Sequence, residues 1–240
     1  MSHLDNLAGE GLGAVLGDIA RTLQAEPDVD TTLAAIVKTA VDHVTGAEHA
    51  GISLVERRRR IRTVAPTDPV VVTIDEVQYR AGQGPCLDAI AEHQVYRTGD
   101  LTNEGRWPAF TPAAVETGIR SMLSYRLFIS ETTLGALNLY ATRVDAFSDQ
   151  TEQDGRVFAS HAAVALAGAQ TEARLHLALE RHDVIGMAKG ILMTRHDLDP
   201  VQAFRLLVEA TQVTRLKLHQ VATWLVEHRH DLQPPPSPSD

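Results

Sequence analysis

The stretch Ile185-Gly-Met-Ala-Lys-Gly-Ile-Leu-Met193 sets the reading of this chain. Its apolar residues Ile185, Ala188 and Leu192 fall at i, i+3 and i+7, the spacing of one helix face. Lys189 stands between Ala188 and Gly190, the two smallest residue types, so the helix surface around it is bare. A glycine inside a helix costs roughly 1 kcal/mol against alanine. Close approach of another chain is one physical reason for Gly186 and Gly190.

Reading outward from this stretch toward the C-terminus, Asp199-Pro200-Val201-Gln202 has the form of an N-cap, an N1 proline and an N3 partner, a helix start. Ala203, Leu207 and Ala210 line one face of that helix, with Phe204 and Val208 beside it. After Gln212-Val213, Thr214 is the expected cap of a third helix, whose stripe is Leu218, Val221, Ala222, Leu225 and Val226. The end of the first helix and these two short ones close a small three-helix core.

The blocks HDVIGMAKGILMTRHDLDPVQAFRLLVEATQ and KLHQVATWLVE resemble an ANTAR domain, the RNA-binding module of transcription antitermination regulators, over about residues 174–230. The resemblance implies binding to tandem stem-loops in nascent RNA, which prevents a terminator from forming so that transcription continues. Unpaired loop bases offer edges and stacking faces that a duplex hides. On the same resemblance Lys189 contacts loop phosphate and Gly190 permits close backbone approach. Thr214, Arg215 and Lys217 add donors at the start of the last helix, together with its N-terminus. Arg195 is a further phosphate contact. The chain departs from the pattern at Arg215, where asparagine is frequent, at Leu216, where arginine or lysine is frequent, and at His219, where arginine is common.

Toward the N-terminus the pattern changes. Leu12, Val15, Leu16, Ile19 and Leu23 mark an amphipathic helix. Asp30 is the expected cap of a second, with the face Leu33, Ile36, Val37, Ala40 and Val44. Residues 51–55 and 61–64 read as strands joined through the arginines 57–60, a solvated turn, and Val70 to Ile74 reads as a further strand. Gly82, Gly84 and Pro85 precede a short helix at Leu87 to Glu92, and Val95 to Thr98 is extended. Trp107-Pro108 opens a helical stretch ending near Gly118. Arg120 to Ile129 and Leu134 to Thr142 form a strand pair around Ser130 to Thr133. This is an α+β plan with a mainly antiparallel sheet.

Within it, residues 84–129 (GPCLDAIAEHQVYRTGDLTNEGRWPAFTPAAVETGIRSMLSYRLFI) and 134–148 (LGALNLYATRVDAFS) are similar to the GAF sensor fold, over roughly residues 11–170. Gly84, Asp100-Leu101, Arg106-Trp107-Pro108, Phe110, Gly118 to Ser121 and Leu134 to Leu139 carry the likeness. Members of that fold bind very different small molecules or none, so the resemblance leaves the ligand open. The expected organisation is a GAF-like sensor at 11–170, an ANTAR domain at 174–230 and a proline-rich, disordered tail at 231–240.

From about Asp149 to Arg195 there is no proline and the glycines are isolated, which predicts one helix close to 45 residues and roughly 70 Å long. Phe158, Ala162, Ala165, Leu166, Leu175, Ala178, Leu179 and Ile185 offer a seam for a parallel homodimer.

The net charge is −9, and residues 1–170 hold 14 Lys+Arg against 22 Asp+Glu, whereas residues 171–231 hold 8 against 8. Recognition of RNA therefore depends on where cations are placed. There is no transmembrane-length apolar run and no secretory leader, so a cytoplasmic location is the default. The single cysteine, Cys86, excludes intrachain disulfides; near a helix start it reads as a buried filler or a reactive thiol. His161 lacks a following kinase domain, the other histidines form no ligand pattern, and no nucleophile–base–acid set is present. No enzyme activity, cofactor or metal is assigned. Two other readings stay open: a helix-turn-helix that reads duplex DNA, or a sensor whose C-terminal bundle docks a partner protein.

Overall fold

The computed structural model describes residues 25–56, 60–92 and 95–229, together with Gly17, Arg21 and Leu23. Most of the expected first helix, the arginines 57–59 and the proline-rich tail lie outside the described residues. The chain divides into two compact units, Met1–Thr171 and Glu172–Asp240.

In the first unit, α1 (Val29–His43) precedes β1 (His49–Val55) and β2 (Ile61–Val64). Its cap is Asp28, not Asp30: the Asp28 carboxylate accepts from the Thr31 N–H at 2.8 Å and Thr31 Oγ1 accepts from the Asp28 N–H at 3.3 Å. That reciprocal pair starts the helix two residues early and leaves Asp30 in its first turn.

The segment expected as a strand at Val70 to Ile74 is instead the first part of α2 (Pro69–Ala81). Its β-branched run favours a strand, but Asp68 caps the Val70 N–H at 2.8 Å and Pro69 presets the first helical φ. Val71, Ile74 and Val77 then fall on one buried face. After Gly82 in the left-handed region come α3 (Pro85–Glu92) and β3 (Val95–Thr98). The stretch opening at Trp107-Pro108 is a turn before the short α4 (Thr111–Glu116). β4 (Ser121–Ile129) and β5 (Thr132–Ala141) form a hairpin through Ser130, whose φ is 51°.

These strands make one antiparallel sheet in the order β2-β1-β5-β4-β3. Its two faces differ in chemistry. One carries Ala50, Ile52, Leu123, Tyr125, Leu127, Leu137 and Leu139, packed against Leu33, Ile36 and Ala40 of α1. The other presents Ser53, Met122, Ser124, Arg126, Asn138 and Tyr140, covered by α2, α3 and the segment around Trp107 and Phe110.

α5 runs unbroken from Asp149 to His196, 48 residues. Phe158, Ala162, Ala165 and Leu166 on it are buried in the apolar core of the sheet. They are consumed inside this chain and leave the expected dimer seam. Residues 171–183 are all exposed, with Leu175 at 60 % and Leu179 at 54 %.

In the second unit, the end of α5 packs with α6 (Pro200–Thr214) and α7 (Leu218–Glu227). Ala188, Leu207, Val221, Ala222 and Leu225 form the buried centre, flanked by Ile185, Leu192, Ala210, Leu218 and Val226. Asp199 and Gln202 form the expected reciprocal cap. Thr214 does not cap α7. It is the last residue of α6, its hydroxyl donating to the Ala210 carbonyl at 2.7 Å, and Arg215 turns the chain in the left-handed region at φ 56°. α7 starts after Lys217, whose N–H donates to Gln220 Oε1 at 2.9 Å.

Candidate functional site

In the second unit the residues singled out by sequence fall in two places. Thr214, Arg215 and Lys217 are all exposed and make up the connection from α6 into α7. Arg195 lies elsewhere: its guanidinium donates to the Arg229 carbonyl just past the last turn of α7. The ten residues of α7 rise about 15 Å, so Arg195 and Lys217 stand at opposite ends of that helix.

Lys189 is half-buried and follows Ala188, whose methyl group is fully buried in the three-helix core. Gly190 is exposed, and a Cβ built on it or on Gly186 would meet no atom within 4 Å. Packing among the described residues therefore does not require either glycine. Gly190 borders a groove of about 610 Å³ with Met187, Ile191, Thr194, Arg195, Val226 and Arg229. Its lining is mainly apolar and includes two arginines.

One feature of this unit escaped the sequence reading. Trp224, 51 % exposed, stacks on His228 with ring centroids 4.7 Å apart and planes 19° from parallel. The i, i+4 spacing of Trp224 and His228 was the available signal, but in the sequence His228 is weighed only as a metal ligand. His228 Nδ1 also lies 2.9 Å from the Trp224 carbonyl oxygen. His230 is outside the described residues.

In the first unit the polar face of the sheet holds a buried network that periodicity does not reveal. Asp75 on α2 accepts from Thr63 Oγ1 at 2.7 Å, from Gln78 Nε2 at 3.0 Å and from the Tyr140 hydroxyl. Ser53 joins Asp75 at 3.5 Å, Tyr79 at 2.7 Å and Asn138 Nδ2 at 2.9 Å. Burial raises the Asp75 carboxyl to about 6, against the lowering effect of its hydrogen bonds.

Cys86 sits in the same network. Its Sγ donates to Ser53 Oγ at 3.0 Å and its N–H to Gln78 Oε1 at 3.0 Å. Burial, then the Asp75 charge, pushes the thiol up to about 12. A reactive thiolate needs the opposite environment, so Cys86 is the buried filler of the two readings.

The described residues thus form a five-stranded antiparallel sheet with helices on both faces and, in the second unit, a three-helix core. The model of the GAF domain family matches residues 26–167, more than half of the chain, and that of the ANTAR domain matches residues 173–226.

The chain belongs to the GAF family. It has the GAF–ANTAR two-domain arrangement, and both domains are of regulatory kind. Solved structures agree on the GAF fold. The GAF domain of a phosphoenolpyruvate-protein phosphotransferase from Coxiella burnetii aligns at 15 % identity and TM-score 0.55, covering 68 % of this chain and 96 % of that one. Free methionine-R-sulfoxide reductase from Neisseria meningitidis aligns at 17 % and 0.54, covering 67 % and 91 %. The corresponding phosphotransferase domain from Acinetobacter aligns at 14 % and 0.52, covering 71 % and 97 %. At these identities the likeness concerns fold alone. No curated protein sequence matches the chain. Among the described residues no helix is long and apolar enough to cross a membrane.

Proposed function

We propose that this GAF–ANTAR protein is a cytoplasmic, non-enzymatic transcription regulator that binds stem-loops of nascent RNA and acts by antitermination under control of its GAF domain. The ANTAR match at residues 173–226 carries the proposal. The open helix surface at Gly186 and Gly190 supports it, because a helix gives up stability there with no gain in its own packing. Lys189 and the exposed Arg215 and Lys217 are the proposed phosphate contacts, with Gly190 allowing the RNA backbone close; Thr214 adds a donor when its hydroxyl turns from the Ala210 carbonyl to the RNA. Arg195, tied to the end of α7, is an outlying contact.

The protein acts as a homodimer in this proposal. The exposed turns of α5 at residues 171–183, with Leu175 and Leu179 at i, i+4, supply the contact between copies. Two linked RNA-binding faces then engage tandem hairpins through effective concentration.

One gel-shift experiment tests the function: a tandem-hairpin RNA against a duplex DNA of equal length, at two salt concentrations. Tighter binding to hairpin RNA, reduced about ten-fold by Lys217→Ala and by Lys189→Ala, is the expected result. Preference for the duplex would instead favour a helix-turn-helix DNA reader, and a separate pull-down that recovers a partner protein and no RNA would favour a docking module.

A further inference from the structure

Arg126 lies on β4, on the polar face of the GAF sheet, and only 9 % of it is exposed. A buried charge without a counter-charge is costly, yet among the described residues no carboxylate comes within 4.0 Å of this guanidinium. Its hydrogen bonds go to neutral oxygens: Nε and Nη2 donate to Thr133 Oγ1 at 3.0 and 2.6 Å, and Nη2 also reaches the Glu131 carbonyl at 3.5 Å. The Phe128 ring lies 4.8 Å from its central carbon. Nη1 makes no hydrogen bond among the described residues.

This arginine borders a cavity of about 480 Å³, within the size range of small-molecule sites. The rest of the wall is mainly aliphatic: Val55 and Ile61 from β1 and β2, and Leu87, Ile90 and Ala91 on α3. Glu131, an exposed residue, also lines the cavity and adds one negative charge.

We propose that this cavity binds a small aliphatic monocarboxylate, its carboxylate held by Arg126 and its hydrocarbon body by the wall of α3, β1 and β2. The guanidinium has a planar fork of donors that suits a carboxylate. The aliphatic wall selects a hydrophobic body over a bare inorganic anion. Glu131 opposes any anion in the cavity, so Arg126 offsets one carboxylate and a dianion is disfavoured. The site rests on reading the first unit as a sensor, and it names the class of signal that the sensor takes.

Calorimetry on the full chain, without RNA, tests the site with hexanoate, hexan-1-ol and inorganic phosphate as probes. Hexanoate is expected to bind at least ten-fold more tightly than either of the others. Arg126→Gln should remove the preference for hexanoate over the alcohol, and Arg126→Lys should restore part of it. Ala91→Phe, at an exposed position on the cavity wall, should weaken hexanoate binding without disturbing the fold. Equal affinity for hexanoate and hexan-1-ol, phosphate binding as tight as hexanoate, no hexanoate binding at millimolar concentration, or undiminished binding in Ala91→Phe would each overturn the proposal. Hairpin affinity measured on the same preparations reports separately on the RNA-binding function.

Discussion

Arg195 donates a hydrogen bond to the carbonyl oxygen of Arg229, joining the last turn of α5 to the chain leaving α7. The Arg229 carbonyl lies just past the C-cap of α7, and a guanidinium near that helix end also complements the dipole. Arg195 thus ties the end of α5 to the chain just beyond α7. Arg195→Ala should lower the stability of the ANTAR unit by about 1 kcal/mol and weaken hairpin binding less than Lys217→Ala does. Thermal melting of each variant beside its RNA titration checks both statements; an affinity loss larger than that of Lys217→Ala would make Arg195 a principal contact.

Glycines along α5 should respond in opposite directions. A Cβ on Gly155 would lie 2.2 Å from the Tyr125 hydroxyl, which donates to the carbonyls of Thr151 and Glu152 at 3.3 and 3.1 Å. Gly155→Ala should therefore destabilise the GAF unit by about 2 kcal/mol. Gly186→Ala and Gly190→Ala meet open space and should each stabilise the helix by up to about 1 kcal/mol. Gly190→Ala should nonetheless weaken hairpin binding, so denaturant titration and gel shift would move in opposite senses for this one variant.

Stability should depend on pH through Asp75. Its folded-state value near 6 lies above the ordinary 3.8, so the folded state holds the proton more tightly than the unfolded chain. Its favourable contribution is complete below about pH 4 and disappears as pH rises through about 6. A shift of this size corresponds to roughly 2–3 kcal/mol. Relative to Asp75→Asn, the wild type should lose stability between pH 4 and pH 7. Parallel pH profiles for the two proteins would mean that Asp75 does not titrate in this range.

Cys86 should resist thiol reagents in the folded protein. Burial and a raised pKa leave almost no accessible thiolate at pH 8. Labelling with a chromogenic disulfide is expected to be at least about 100-fold slower than in denaturant. Labelling at the denatured rate would show that the network around Ser53 opens readily.

Leu175→Lys combined with Leu179→Lys places charge on exposed turns that belong to no core among the described residues. If those turns join two copies, sedimentation should shift from dimer to monomer with the melting of the GAF unit unchanged. A dimer that survives both substitutions would place the contact elsewhere.

Several elements were settled by local sequence. The stripes Ile185, Ala188, Leu192 and Leu218, Val221, Ala222, Leu225 required only helical periodicity, and Asp199 with Gln202 required only a three-residue spacing. The paired strands β4 and β5 and the unbroken α5 were legible for the same reason: each signal lies within neighbouring residues. Where two local signals competed, tertiary packing decided. Val70 to Ile74 became helical because Asp68 and Pro69 start a helix whose buried face fits the sheet. Phe158 to Leu166 left the dimer seam because the sheet offered an apolar face, which a single helix pattern cannot disclose. The meeting of Ser53, Asp75 and Asn138, and of Arg126 with the wall of α3, depends on strand register across residues far apart in the chain. Helical faces follow from periodicity within a few turns, whereas buried polar sites exist only once distant strands are in register.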